Sequence, residues 1–119
     1  MHNRLGATAV EFALTAPLLF LFMFAAIELS RLSLIRNLAQ DAAYDACRFA
    51  MVEGATAEEA EQKAKEVLAW VATNGAEIEV SELDDDADEI SVDITIPMDQ
   101  NCLLTSFLCN GKSINASIT

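Results

Sequence analysis

The sequence predicts an α+β fold: a long N-terminal transmembrane and stalk helix, a second helix, and a small three-stranded antiparallel sheet. Three observations carry that expectation. An apolar run near the N-terminus passes without a break signal into an amphipathic helical pattern. A capping-box pattern then opens a second helical stretch. Beyond residue 75 the hydrophobic period falls from 3.6 to two. With 119 residues, the chain has room for one small domain at most.

The first element is the most informative. Phe12 to Ile27 is sixteen residues without a charge, and Ala7 to Ile27 is twenty-one residues with the single acid Glu11. At 1.5 Å per residue the longer segment spans about 31 Å, close to the hydrocarbon thickness of a bilayer, so a membrane helix is expected over residues 7–29. A removable signal peptide is the rival reading. Against it, the run is slightly longer than a usual apolar core, no Ala-x-Ala site follows it, and the one such triplet, Ala7-Thr8-Ala9, precedes it. Glu11 is then costly wherever it lies deep in lipid, and it either marks the interface or has a function.

The helical pattern continues. Leu34, Leu38, Ala42, Ala46, Phe49 and Val52 recur every three or four residues, with Arg36, Asn37, Gln40, Asp41, Asp45 and Arg48 between them. A helix from Ala7 to Glu53 would be forty-seven residues, about 70 Å long. Pro17 is the one place where a missing N–H would kink it. Two helices that break near Ser30 are the alternative.

Gly54 ends this segment, and Thr56 with Glu59 forms a capping box. A second helix is expected from Ala57 to Thr73, closed by Asn74-Gly75, with Ala60, Ala64, Val67, Leu68 and Val71 on its buried face. Trp70, beside that stripe, is expected in the core. Ile78 and Val80, then Ile90 to Ile96 at alternate positions, then Ile114, Ala116 and Ile118 each alternate with polar residues, which predicts three strands with one apolar face each. Pro97 should end the middle strand or hold it at an edge. The two helices are the natural cover for that face, so residues 30–119 read as stalk helix plus a soluble α+β head.

Charge narrows the function. The formal charge is −12, yet residues 1–50 hold four basic and four acidic side chains, so the whole excess of acid lies in the second half. That sign repels phosphate backbones, and nucleic-acid binding is not expected. The one histidine is His2, so triads and His-containing metal sites lack a partner. The four glycines are isolated, and no phosphate loop is encoded. No catalysis, no cofactor and no small-molecule substrate are expected; paired carboxylates such as Asp93 and Asp99 are a poor basis for an enzyme in a head this small.

Asp84, Asp86 and Asp88 have the first three spacings of a calcium-binding EF-hand loop, but Glu89 takes the glycine position and Thr95 the final glutamate position. A solvated hairpin tip is the preferred reading of this loop, with weak divalent-cation binding as the other. Cys102 and Cys109 enclose six residues. In an oxidising compartment a disulfide there would stabilise the loop, and two free buried thiols are the alternative. Cys47 is read as a small buried residue, and no metal site is expected.

The stretch Arg4-Leu5-Gly6-Ala7-Thr8-Ala9-Val10-Glu11-Phe12-Ala13-Leu14, with Pro17-Leu18-Leu19, Glu28 and Arg31 after it, resembles the N-terminus of TadE-like proteins. These are pseudopilins, or minor pilins, of the tight-adherence (Tad) branch of type IV pili. In that family a membrane aspartic peptidase cuts after a glycine, and a glutamate stands fifth in the mature chain, followed by an aromatic residue. The resemblance makes residues 1–6 a prepilin leader, Gly6 and Ala7 the processing site, and Glu11 and Phe12 the assembly residues. Cutting there removes Arg4 and leaves six basic against nineteen acidic residues, a charge of −13.

The resemblance also gives Glu11 a use. The new α-amino group near the membrane interface is a cation that Glu11 of a neighbouring subunit would neutralise, setting register between helices. The implied partners are the membrane, the prepilin peptidase, other pilins or pseudopilins and the Tad assembly platform. The implied location is the inner membrane, single-pass, with the head periplasmic or extracellular. Arg4 on one side and Arg31 and Arg36 on the other leave the positive-inside rule indecisive, so only the family sets that orientation. Major Tad pilins are much shorter and largely helical, so a head of this size implies a minor or priming component. The alternative is an uncleaved single-pass accessory protein whose head binds a periplasmic partner.

Overall fold

A computed structural model of the chain describes residues 2–71, 73–81, 89–103 and 109–119, with the backbone alone for residues 2–5. Helix α1 spans His2–Ala50, α2 spans Ala57–Ala69, and the strands are β1 (Glu77–Val80), β2 (Val92–Pro97) and β3 (Ser113–Ile118). At 1.5 Å per residue the 49-residue α1 is about 74 Å long and accounts for most of the 84 Å long axis. It runs through Ser30 without a break, so the two-helix alternative is not what this sequence forms.

The sheet order is β1-β2-β3, antiparallel throughout. Ile78 sits opposite Ile94, Ile94 opposite Ala116, and Ile96 opposite Ile114, so each strand turns the same alternating set inward. Val92, Ile94 and Ile96 of the central strand are fully buried against Ile35, Ala39, Ala42 and Ala46 of α1. Pro97 closes β2, where a missing N–H costs the ladder least. The strand starts at Val92, two residues later than the alternation from Ile90 suggested. The Ser81 amide still donates to the Ser91 carbonyl at 2.9 Å, and Ile90 stays half-buried against the core.

The α1 face that meets the head differs from the expected stripe. Ile35, Ala39, Ala42, Ala43, Ala46, Cys47 and Ala50 are buried, whereas Leu34 and Val52 are exposed. Size explains the rotation: alanines on α1 face Ala60 and Ala64 of α2, which lets the two helices approach more closely than leucines would. Buried area then comes from backbone proximity instead of long side chains. Cys47 is buried as expected, its Sγ 3.7 Å from the Ile90 carbonyl oxygen.

Helix α2 begins as predicted. The Glu59 amide donates to Thr56 Oγ1 and the Thr56 amide to Glu59 Oε2, both at 3.3 Å, completing the capping box. It ends four residues early because the Trp70 and Val71 amides turn to the Val67 and Leu68 carbonyls three residues back, tightening the last turn. Trp70 is not in the core: it is 87% exposed. At 100° per residue it stands about 80° from Ala60 and about 120° from Ala64, on the flank of the alanine seam just past the last residue of α2.

The acidic loop reading for Asp84, Asp86 and Asp88 falls outside the described residues; Glu89, at its edge, is exposed.

Candidate functional site

Among the described residues, the first half of α1 is exposed from Gly6 to Ala26, with Ala16 alone half-buried. The 18-residue window that makes this helix long and apolar enough to cross a membrane has none of its residues buried. Phe12, Leu14, Leu19, Leu21 and Phe22 are all more than 60% exposed. An apolar surface of this size in water would be a severe liability, and a lipid or helical environment removes the cost. A shallow apolar furrow runs along it past Phe12, Thr15, Leu19 and Phe22.

The sequence-predicted site residues sit in order along this surface. Gly6 and Ala7 lie on the first turns, already helical and exposed. A Cβ at Gly6 would meet nothing within 4 Å, so no packing demand explains glycine there. What glycine does supply is a weak point, destabilising a helix by about 1 kcal/mol relative to alanine. One turn on, Glu11 is exposed, and among the described residues no cation pairs with it. Thr15 Oγ1 donates to the Glu11 carbonyl at 2.9 Å and lies 3.3 Å from that of Phe12. This back-bonding occupies carbonyls just ahead of Pro17, which cannot donate to Ala13. The helix nevertheless continues through Pro17.

At the other end of the apolar run is a polar junction that sequence reasoning missed. Glu28 is only 2% exposed, and its Oε1 accepts the Leu103 amide at 2.7 Å. Arg31 Nη1 donates to the Asn101 carbonyl oxygen. Asn101, itself buried, uses its side chain three times: Nδ2 donates to the carbonyls of Asn74 (2.9 Å) and Pro97 (2.7 Å), and Oδ1 accepts the Asn74 amide (2.9 Å). One asparagine therefore ties the turn after α2 to the end of β2, while two residues of α1 tie both to the stalk. The only sequence signal was Glu28 and Arg31 standing three apart immediately after the apolar run.

Cys102 and Cys109 are joined by a disulfide, with Cα atoms 6.7 Å apart, directly beside this junction. The bond closes the segment that begins at the Glu28 and Arg31 contacts. The disulfide and the Gly6–Glu11 end are not brought together: Glu11 and Glu28 are seventeen residues apart, about 26 Å along α1. Among the described residues there is no cluster of His, Cys, Asp or Glu arranged to hold a metal ion.

One exposed helix long and apolar enough to cross a bilayer, carrying an α+β head on its far half, fits a single-pass membrane protein. Residues 6–48 match the TadE-like protein family, the one the N-terminal motif resembles. The match starts at Gly6 and takes in Ala7, Glu11, Phe12, Pro17, Glu28 and Arg31; α2 and the sheet lie beyond it. No curated protein and no solved structure matches the chain.

Proposed function

We propose that this chain is a minor pilin, or pseudopilin, of a Tad-type pilus, processed after Gly6 and acting in pilus assembly without catalysis. The observation that carries the reading is the exposed Glu11, unpaired among the described residues, in an otherwise apolar, unburied helix surface inside the TadE-like range. Among the described residues, that carboxylate meets no cation of its own chain. It gains one when a neighbouring subunit brings a cation.

Processing supplies that cation. Cleavage of the Gly6–Ala7 bond creates an α-amino group four residues from Glu11. The amine stands one helical turn from Glu11 of its own chain, and pairing it instead with the Glu11 of a neighbouring subunit sets the axial offset of adjacent helices. Gly6 lowers the local helix stability where a peptidase must open the backbone. The Leu and Phe surface then packs against lipid before assembly and against other subunits afterwards. The head stands outside the inner membrane, where an oxidising environment maintains the Cys102–Cys109 bond.

Pilus production in a host deleted for this chain and complemented with variants tests the reading. Wild type restores pili, and Glu11→Ala and Glu11→Gln do not, although both accumulate in the membrane at wild-type levels. Full pili with Glu11→Ala would overturn the assigned role and favour the uncleaved accessory protein.

A further inference from the structure

Beside the junction, α1 and the start of β3 enclose an open groove of about 490 Å³. Its apolar lining comes from Leu29 and Leu32 of α1, Met98 after β2, and Ile114 of β3; its cation is Arg36. Among the described residues neither aspartate nor glutamate lines it, in a chain whose formal charge is −12. Arg36 has no hydrogen bond or ion pair among the described residues, whereas Lys63 and Lys65 pair with Glu66 and Glu61, and Arg31 is held by Asn101. Exposed Lys112 and Asp99 adjoin the lining residues Ser113 and Met98 and offset one another, which leaves Arg36 as the charge on the lining.

Position says what fills it. Leu29 is two residues past Ile27, the last residue of the apolar run, so the groove opens where that run ends. Arg36 is nine residues past Ile27, about 14 Å along the axis. Its Cα–Cβ bond tilts toward the helix N-terminus, and a long basic side chain extends its charge toward the headgroup layer, which is about 5–7 Å deep in each leaflet. Apolar walls that begin where the span ends, with a guanidinium that extends down to the outer edge of the headgroup layer and is unpaired among the described residues, match an amphiphile whose anionic head is drawn outward from the leaflet.

We propose that this groove binds an anionic phospholipid of the bilayer, with its phosphate on Arg36 and an acyl chain along Leu29 and Leu32. The proposal rests on the membrane-spanning reading of α1. The bound lipid would fix the height of the head above the membrane and shield groove surface that the head leaves open. A second copy of this chain is a poorer occupant, since its head brings a large negative charge against a groove lined by a single cation.

Native mass spectrometry of the full chain in detergent, given equal amounts of phosphatidylglycerol and phosphatidylcholine, tests this. Wild type should retain phosphatidylglycerol over phosphatidylcholine by about fivefold, the factor expected for one basic side chain at a charged surface. Arg36→Gln should level the two, and Arg48→Gln, at the far end of α1, should keep the preference. Equal retention by wild type, an unchanged preference in Arg36→Gln, displacement of the lipid by inorganic phosphate, or a dimer that Arg36→Gln dissociates would each overturn it. Flotation with liposomes separates the two readings. A wild-type chain that floats but shows no preference loses the lipid site alone, and one that fails to float loses the membrane reading and this proposal with it.

Discussion

Replacing Asn101 by alanine should loosen the head from its stalk more than any other single polar substitution among the described residues. The side chain is 2% exposed and makes three hydrogen bonds, to the Asn74 carbonyl, the Pro97 carbonyl and the Asn74 amide. At about 1 kcal/mol net per bond the sum is about 3 kcal/mol. Asn74 is exposed, so water recovers part of what its two groups lose, and the expected cost falls to about 2–3 kcal/mol. Asn101→Asp should be at least as damaging, because it removes both Nδ2 donors and aims a carboxylate at two carbonyl oxygens. Asn115→Ala, whose Oδ1 accepts only an exposed bond from Ser113, should cost under about 0.5 kcal/mol. Urea unfolding of the full chain in micelles, followed by far-UV circular dichroism and by hydrogen exchange of β2 and β3 amides, measures all three. A loss below about 0.5 kcal/mol for Asn101→Ala would refute the reasoning.

Three further outcomes follow from the same structure. Cys102→Ser with Cys109→Ser opens a loop of about eight residues and should lower stability by about 2.5 kcal/mol on the loop-entropy estimate; a thiol count of three in the unreduced wild type would contradict the bond. Gly75→Ala should destabilise more than Gly54→Ala, judged by urea midpoints. Both have positive φ, but only at Gly75 would a Cβ press on Gln100 Oε1 at 2.7 Å and Pro97 Cγ at 3.1 Å. Trp70→Ala should change the midpoint by under about 0.5 kcal/mol, and a loss of 3 kcal/mol or more, typical of a buried indole, would show that the tryptophan is covered.

What was readable in the sequence was what depends on local period. The apolar run, its passage into an amphipathic stalk, the Thr56–Glu59 cap and the three alternating strands all announce themselves within a few residues, and the structure carries each of them. The α1 stripe was harder, because alanine is a weak hydrophobic signal: Leu34 and Val52 outweigh Ala39 and Ala43 by size, yet close approach of α2 selects the alanines. Trp70 was misjudged for a related reason: its bulk counted as evidence of burial, while it sits on the flank of the stripe just where α2 ends. The junction could not be read at all, since Arg31 and Asn101 are seventy residues apart and Glu28 and Leu103 seventy-five. Glu28 and Arg31 stood in the family-like motif, but nothing local names the turn they hold. The Gly6 to Phe12 stretch was legible through its resemblance to the family whose match begins at Gly6, and a lone carboxylate in an apolar run needs no tertiary partner to be seen.

The central claim is that Gly6–Ala7 is a processing site and Glu11 the residue that processing puts to use. The intact mass and N-terminal residue of the chain from native membranes, with and without the host's prepilin peptidase, test it most directly. A chain that begins at Ala7 only when the peptidase is present is the predicted result. A chain that keeps Met1 to Gly6 in both would contradict it and leave an uncleaved membrane anchor in its place.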